Sequence, residues 1–248
     1  MQGVLVASDA KLEWLLPWWW ENYSRDNILP VAFVDFGMSN EKKTWCKERG
    51  LLIAVEAPPL KEVDEVTMRE WALSYGESYF EVRKAWFKKP AACLASPFQE
   101  TIWLDLDCEV LRDISALFSF LSQGKEVGAV LERIEDGGEI LYNGGVIVFR
   151  KGSVVLEEWA ELSSLDSDLY WGDDRILSKV IKQHGNIFSV VPDHYNWRLS
   201  CGIPSFATII HWNGEWGKVC IAKEGGYRAL VERLSQGRID RLVGEDVE

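Results

Sequence analysis

In the first 55 residues three short apolar runs alternate with two helical stretches, and this alternation limits the possible folds more than any other property of the chain. Gly3 to Ala7 reads as a strand, with Ser8-Asp9 as its exit loop. Lys11 to Tyr23 reads as a helix whose start is blurred by Pro17, which has no N–H to donate. Pro30 to Phe36 reads as a second strand, Glu41 to Arg49 as a helix closed by Gly50, and Leu51 to Val55 as a third strand. Strand–helix–strand alternation builds a largely parallel, doubly wound α/β sheet. Such sheets bind ligands where strands leave their carboxyl ends.

The remaining pattern extends the same architecture. Glu62 to Lys84 and Phe87 to Ser96 read as helices around a Pro58-Pro59 loop. Val127 to Leu131, Gly145 to Phe149, Ile187 to Val191 and Ala207 to His211 read as further strands. Val154 to Leu162, Asp174 to Gln183 and Tyr227 to Leu234 read as helices, and Gly244 to Glu248 as a frayed acidic end. No repeat or low-complexity linker interrupts the chain, so 1–248 is read as one domain. Its 248 residues, 47% hydrophobic, supply a core for one large α/β unit. A formal net charge of -12, with no basic cluster longer than Lys42-Lys43 or Lys88-Lys89, argues against nucleic acid and anionic membrane surfaces. The five cysteines (Cys46, Cys93, Cys108, Cys201 and Cys220) form no Cys-x-x-Cys motif and suggest neither a disulfide framework nor a zinc site. No charged leader or long apolar segment is seen, so a cytoplasmic protein without a membrane span is expected.

The chemistry is expected at Asp105-Leu106-Asp107, after the apolar run Thr101 to Leu104. On an extended strand the two carboxylates would face one side, roughly 6–7 Å apart. Two carboxylates at a strand exit suit a divalent cation that also holds a diphosphate. They equally suit a strand that simply ends in acidic loop residues. Three other segments have the same double reading. Asn143-Gly144-Gly145 either lets backbone approach a ligand or makes a tight turn. Asp173-Asp174 either caps a helix or places a carboxylate at a reaction centre. His211, at the end of an apolar strand, is either structural or the imidazole of a manganese shell. Lys218 follows it. Of the tryptophans beside these motifs (Trp103, Trp171, Trp197, Trp212, Trp216), Trp103 reads as core, while the others suit either packing or sugar rings. Trp18-Trp19-Trp20 cannot all face one way.

In order, "VLVASDAK", "TIWLDLDCEVLRDISALF", "YNGGVIVFRKGS", "WGDDRILSKVI", "VVPDHYNWRL" and "HWNGEWGK" resemble the motifs of GT-A fold glycosyltransferases, most of all family 8, which includes the glycogenins and bacterial lipopolysaccharide glycosyltransferases. The resemblance spans about residues 3 to 220. It implies a mixed, mainly parallel sheet flanked by helices. Residues 1–107 would form the nucleotide-binding half, 108–220 the donor and acceptor half, and 221–248 a terminal helix and tail. It also implies transfer of a sugar from a nucleotide-diphosphate donor, most often UDP-linked, with manganese (or magnesium) and with retention. Asp105, Asp107 and His211 would hold the metal. Ala7, Asp9, Asp105, Leu106, Asn143, Gly145 and Lys218 would bind the nucleotide-sugar, and Asp173 and Asp174 would face the sugar and acceptor.

Two departures stand out. The family usually carries Gln where Asp174 stands. It also places a Lys six residues after its His and a Pro beyond it, whereas Lys218 is seven after His211 and lacks the Pro. Arg83, Lys84, Lys88 and Lys89 are alternative phosphate partners. Two other readings remain: a non-catalytic sugar-nucleotide binding protein, and a sugar nucleotidyltransferase. Ser8-Asp9-Ala10-Lys11 lacks the Gly-rich basic loop that the latter would need. The acceptor (glycan, lipid-linked or small molecule) is left open.

Overall fold

The computed structural model describes residues 1–75, 79–134, 138–198 and 206–244. Cys201, the chain beyond Gly244 and part of the expected 62–84 helix lie outside them. The parallel half of the sheet comes first, from β1 (Gln2–Ser8), α1 (Leu15–Asp26), β2 (Val31–Asp35), α2 (Asn40–Lys47) and β3 (Leu51–Ala54). Helices α3 (Glu65–Tyr75), α4 (Tyr79–Trp86) and α5 (Lys89–Leu94) lead to β4 (Glu100–Leu104) and the short β5 (Cys108–Val110). A 3₁₀ turn at Ser115–Leu121 precedes β6 (Val127–Ile134) and β7 (Ile140–Arg150). Then come α6 (Val154–Leu165), α7 (Asp173–Gln183), β8 (Phe188–Val191), β9 (Trp197–Arg198), β10 (Ile209–His211), α8 (Gly214–Glu224) and α9 (Tyr227–Gly244).

The main sheet has seven strands in the order β3-β2-β1-β4-β7-β6-β8. Strands β3, β2, β1 and β4 run parallel, as alternating strands and helices require. Strand β7 runs antiparallel to both β4 and β6, so the sheet is mixed. Apolar side chains fill both faces. Val4, Val6, Ile102 and Val148 pack on one side with Leu15, Leu16 and Trp19 of α1. Leu5, Trp103, Ile147 and Phe149 pack on the other with Trp159 of α6 and Ile176, Leu177 and Val180 of α7. Burial on both faces is why these strands read as continuous apolar runs.

Helix α1 starts at Leu15, four residues later than the expected Lys11. Asp9 Oδ1 first accepts from the backbone N–H groups of Lys11 and Leu12 and closes a turn. Pro17 then falls in the first helical turn, where no N–H is needed. The three tryptophans of this helix divide their tasks. Trp19 is buried and stacks on Tyr23 at 4.9 Å. Trp20 packs edge-on against Trp45 of α2, and Trp18 Nε1 donates to Gly225 O between α8 and α9.

Beside the main sheet a small second sheet runs β5-β10-β9. Strands β5 and β9 and helix α8 are additions to the sequence reading; strands of two or three residues have no periodicity to read. In the β10–β5 register His211 pairs with Cys108, and Trp212 N–H donates to Asp107 O at 3.0 Å. That pairing carries His211 across a long sequence separation to the acidic turn. A second tie holds the same corner. Glu109, fully buried, accepts from Trp212 Nε1 and from the backbone N–H groups of Tyr227 and Arg228 at the start of α9. Among the described residues no helix is long and apolar enough to cross a membrane.

Candidate active site

Asp105 and Asp107 stand in a turn, not on an extended strand as their spacing first suggests. Strand β4 ends at Leu104, and Cys108 N–H closes the turn on Asp105 O at 3.0 Å. The two side chains therefore do not alternate as on a strand, and Leu106 turns its side chain into the core. Both carboxylates nevertheless face one imidazole. His211 Nε2 lies 3.3 Å from Asp107 Oδ1 and 3.8 Å from Asp105 Oδ2.

A lysine flanks each carboxylate. Lys218 Nζ, on α8, donates to Asp107 Oδ2 at 2.6 Å. Lys89 Nζ, on α5, lies 3.1 Å from Asp105 Oδ1, 3.7 Å from Asp173 Oδ2 and 3.0 Å from Gly144 O. The result is a continuous chain of contacts: Lys218, Asp107, His211, Asp105, Lys89, Asp173. Trp103 Nε1 orients Asp105 by donating to its Oδ1 at 2.7 Å. Trp212 is spent on Glu109, while Trp216 is 74% exposed. Of the four basic residues upstream of β4, only Lys89 enters this chain. Arg83 donates to the carbonyls of Ser167 and Tyr170, Lys84 pairs with Glu81, and Lys88 donates to Phe36 O.

Gly144 and Gly145 explain the close approach. Neither takes a positive φ, so they make no tight turn; both lie within β7. A Cβ on Gly144 would stand 3.1 Å from Lys89 Nζ, and one on Gly145 would stand 2.3 Å from His211 Cε1. The two glycines fall where β7 shifts register against β6; Gly144 admits the lysine and Gly145 the imidazole. Asn143 Oδ1 accepts from Gly145 N–H at 2.8 Å, and its Nδ2 donates to Glu132 Oε2 at 3.1 Å.

The protonation of this chain is uneven. Burial alone would raise the Asp107 carboxyl, but Lys218 and His211 beside it hold it well below the usual carboxylate range. Burial opposes charge on Lys89, yet Asp105 and Asp173 outweigh it and keep the ammonium protonated. Asp173 and Asp174, in the first turn of α7, go the other way. Burial pushes Asp173 up to about 7 against the pull of Lys89. It pushes Asp174 up to about 6, helped by the nearby Glu132. Asp173 Oδ2 is buried without a hydrogen bond.

Asp107 and the imidazole fit a divalent cation: ligands at right angles on an ion held at about 2.1 Å stand about 3 Å apart, close to the Asp107–His211 separation. Among the described residues the cluster whose ligand atoms all lie within 4.8 Å of one another is Asp107, Cys108 and His211; Asp105 stands just outside it, 3.8 Å from His211 Nε2. The Cys108 thiol, however, is directed at Gly145 O, and burial followed by the two aspartates pushes it well up. Ala7 lies near the carboxyl end of β1, the parallel neighbour of β4, and Asp9 just beyond that strand, as Asp105 lies just beyond β4. Asp9 spends Oδ1 on its own turn. A separate cavity of about 380 Å³, lined by Pro58, Phe87, Pro90 and Leu94, shares no lining residue with the acidic cluster. Sequence reasoning did not single out Asn196, whose amide lies between Asn143 and His211. A lone Asn after a turn is not a distinctive signal.

No family model matches the chain, and no curated protein does. Solved structures do. The galactosyltransferase LgtC, in complex with donor and acceptor sugar analogues, superposes with a TM-score of 0.59 at 13% identity, covering 87% of this chain and 88% of that one. Mouse xyloside xylosyltransferase 1 gives 0.55 at 15% identity, covering 87% of this chain and 98% of that one. The apo glycosyltransferase GlyE of Streptococcus pneumoniae TIGR4 gives 0.58 at 17% identity, covering 86% and 55%. At these identities the likeness is one of fold: the chain has the GT-A fold on which these glycosyltransferases are built.

Proposed function

We propose that the protein is a metal-dependent glycosyltransferase that moves a sugar from a nucleotide-diphosphate donor, a UDP-sugar, to an acceptor with retention of configuration. The meeting of Asp105, Asp107 and His211 Nε2 at the sheet edge of a GT-A fold carries this reading. Carboxylate oxygens with one imidazole suit manganese, or magnesium.

Counting charge supports a diphosphate partner. Asp105 and Asp107 are already balanced by Lys89 and Lys218. A dication added there leaves an excess of two positive charges, which the diphosphate of a nucleotide sugar neutralises. Metal and donor are therefore expected to bind together.

When bound, the metal supplies Lewis-acid stabilisation of the charge that builds on the departing β-phosphate. Lys218, partly exposed beside Asp107, would add to that stabilisation. Lys89, buried between Asp105, Asp173 and Gly144 O, stays in place and orients both carboxyl groups. Asp173 or Asp174 faces the anomeric carbon. Burial disfavours their ionised forms, and developing positive charge favours them. That stabilisation is larger in the transition state than in the ground state, as catalysis requires.

The test is a panel of nucleotide sugars with manganese, followed by thermal shift and donor hydrolysis. One UDP-sugar is expected to raise the melting temperature and to be hydrolysed, and chelation with EDTA to abolish both. Hydrolysis undiminished after full chelation contradicts the metal role. Tight binding without turnover across the panel favours a non-catalytic nucleotide-sugar binder.

A further inference from the structure

We propose that Asn143 and Asn196 are positioning residues that fix the tautomer of His211, holding a proton on Nδ1 so that Nε2 presents its lone pair to the cation site. The inference rests on the reading of Asp105, Asp107 and His211 as metal ligands.

A backbone N–H can only donate. Gly145 N–H points at the Asn143 side chain at 2.8 Å, so the atom it meets is the amide oxygen. An Asn196 amide atom lies 2.7 Å from that same oxygen and must therefore be the nitrogen. The other end of the Asn196 amide is then its oxygen, 3.0 Å from His211 Nδ1. A carbonyl oxygen only accepts, so Nδ1 carries the hydrogen. One backbone N–H thus sets the polarity of three side chains.

The relay is held from outside as well. Asn143 Nδ2 donates to Glu132 Oε2 at 3.1 Å, and Arg198 pairs with the other oxygen of Glu132 at 3.1 Å. Asn196 is 2% exposed, so water does not compete for its amide. Gly145 completes the device, because any Cβ there would occupy the space of the imidazole.

The consequence lies at the other ring nitrogen. Neutral imidazole carries one hydrogen, and which nitrogen keeps it is set by the hydrogen bond at the other. In the neutral ring the hydrogen on Nδ1 leaves Nε2 with a lone pair turned toward Asp107 Oδ1 and Asp105 Oδ2. Acceptors facing acceptors leave a position that a cation satisfies. Metal-bound imidazoles are ordinarily oriented by such a partner on the other nitrogen. Here that partner is a pair of neutral amides rather than a carboxylate, so the orientation adds no charge to the site.

Nitrogen-15 NMR of the metal-free protein tests this. The chain has three histidines, so the imidazole spectrum is small enough to assign with His184→Gln and His194→Gln. The wild type is expected to show a protected hydrogen on His211 Nδ1. Asn196→Leu is expected to lose that signal and to weaken manganese binding by about 10–100-fold. Asn196→Asp, which keeps an oxygen to accept from Nδ1 but loses the donor to Asn143, is expected to retain the Nδ1–H signal. A wild-type His211 with Nδ1 unprotonated overturns the proposal, and so does an Asn196→Leu protein whose Nδ1–H signal and manganese affinity are unchanged. Should the wild type bind no manganese, the metal reading fails, while the Nδ1 signal still decides the relay.

Discussion

Two carboxylate clusters stand on either side of Gly144-Gly145, built from the same residue types, and they differ in charge. On one side Asp107 touches both Lys218 and His211 and is held ionised. On the other, Asp173 shares the single Lys89 with Asp105, has Asp174 next to it, and is pushed toward neutrality. Both sites are buried, so desolvation opposes ionisation in each. What differs is that Asp107 has Lys218 at 2.6 Å, whereas Asp173 stands 3.7 Å from a lysine it shares with Asp105 and has a like charge beside it. In the proposed function the first cluster is the one that would take a dication and phosphate. The second holds carboxyl groups whose ionisation would gain most from positive charge arriving with a reacting sugar.

Substitutions that affect one side alone test this division. The largest effect is expected from Asp107→Asn, which removes an ionised ligand without changing shape. Donor hydrolysis should fall by about 10³-fold or more, with the circular-dichroism spectrum unchanged. An active variant would place the metal elsewhere. Gly145→Ala comes next. Its Cβ would stand 2.3 Å from His211 Cε1, so the imidazole must move. Manganese affinity should drop by about 10–100-fold, and stability by about 1–3 kcal/mol in a thermal melt. Lys218→Met should lower turnover by roughly 10²-fold while leaving Asp173 and Asp174 undisturbed, measured as kcat with saturating donor.

The effect expected on the other side is on stability rather than turnover, and it depends on pH. The Asp174 carboxyl titrates at about 6 in the folded chain, above its unfolded value. Between the unfolded value and about 6 the native state binds more protons, so stability falls as pH rises through that window. Asp174→Asn removes this loss. It should be close to neutral near pH 4 and stabilising by about 2–3 kcal/mol near pH 8, as read by urea denaturation. Equal effects at both pH values would show that Asp174 is ordinarily ionised. The Asp107 carboxyl, held low, predicts the opposite slope: its contribution is present above the unfolded value and lost in acid.

Much of the fold was legible because strands buried on both faces leave continuous apolar runs, as in 3–7 and 31–34. The reversal at β7 was not, since an antiparallel strand buried on both faces reads like a parallel one. Of the site, Asp105, Asp107 and His211 were legible as ends of apolar segments. What brings them together is the β10–β5 register, set by strands too short to have a pattern. Lys89 was visible only as one of several upstream cations, because which lysine reaches a carboxylate depends on the position of α5 over Gly144. Asn196 and Glu109 had no local signal at all. Their roles arise from partners 53 and 118 residues away, Asn143 and Tyr227.

The measurement that bears most directly on the account is a manganese titration followed by electron paramagnetic resonance, with UDP present, on the wild type and Asp107→Asn. The account predicts that the wild type removes free manganese from solution in a UDP-dependent manner and that Asp107→Asn does not. Equal uptake by both proteins, or no uptake by the wild type, would contradict a metal held between Asp105, Asp107 and His211.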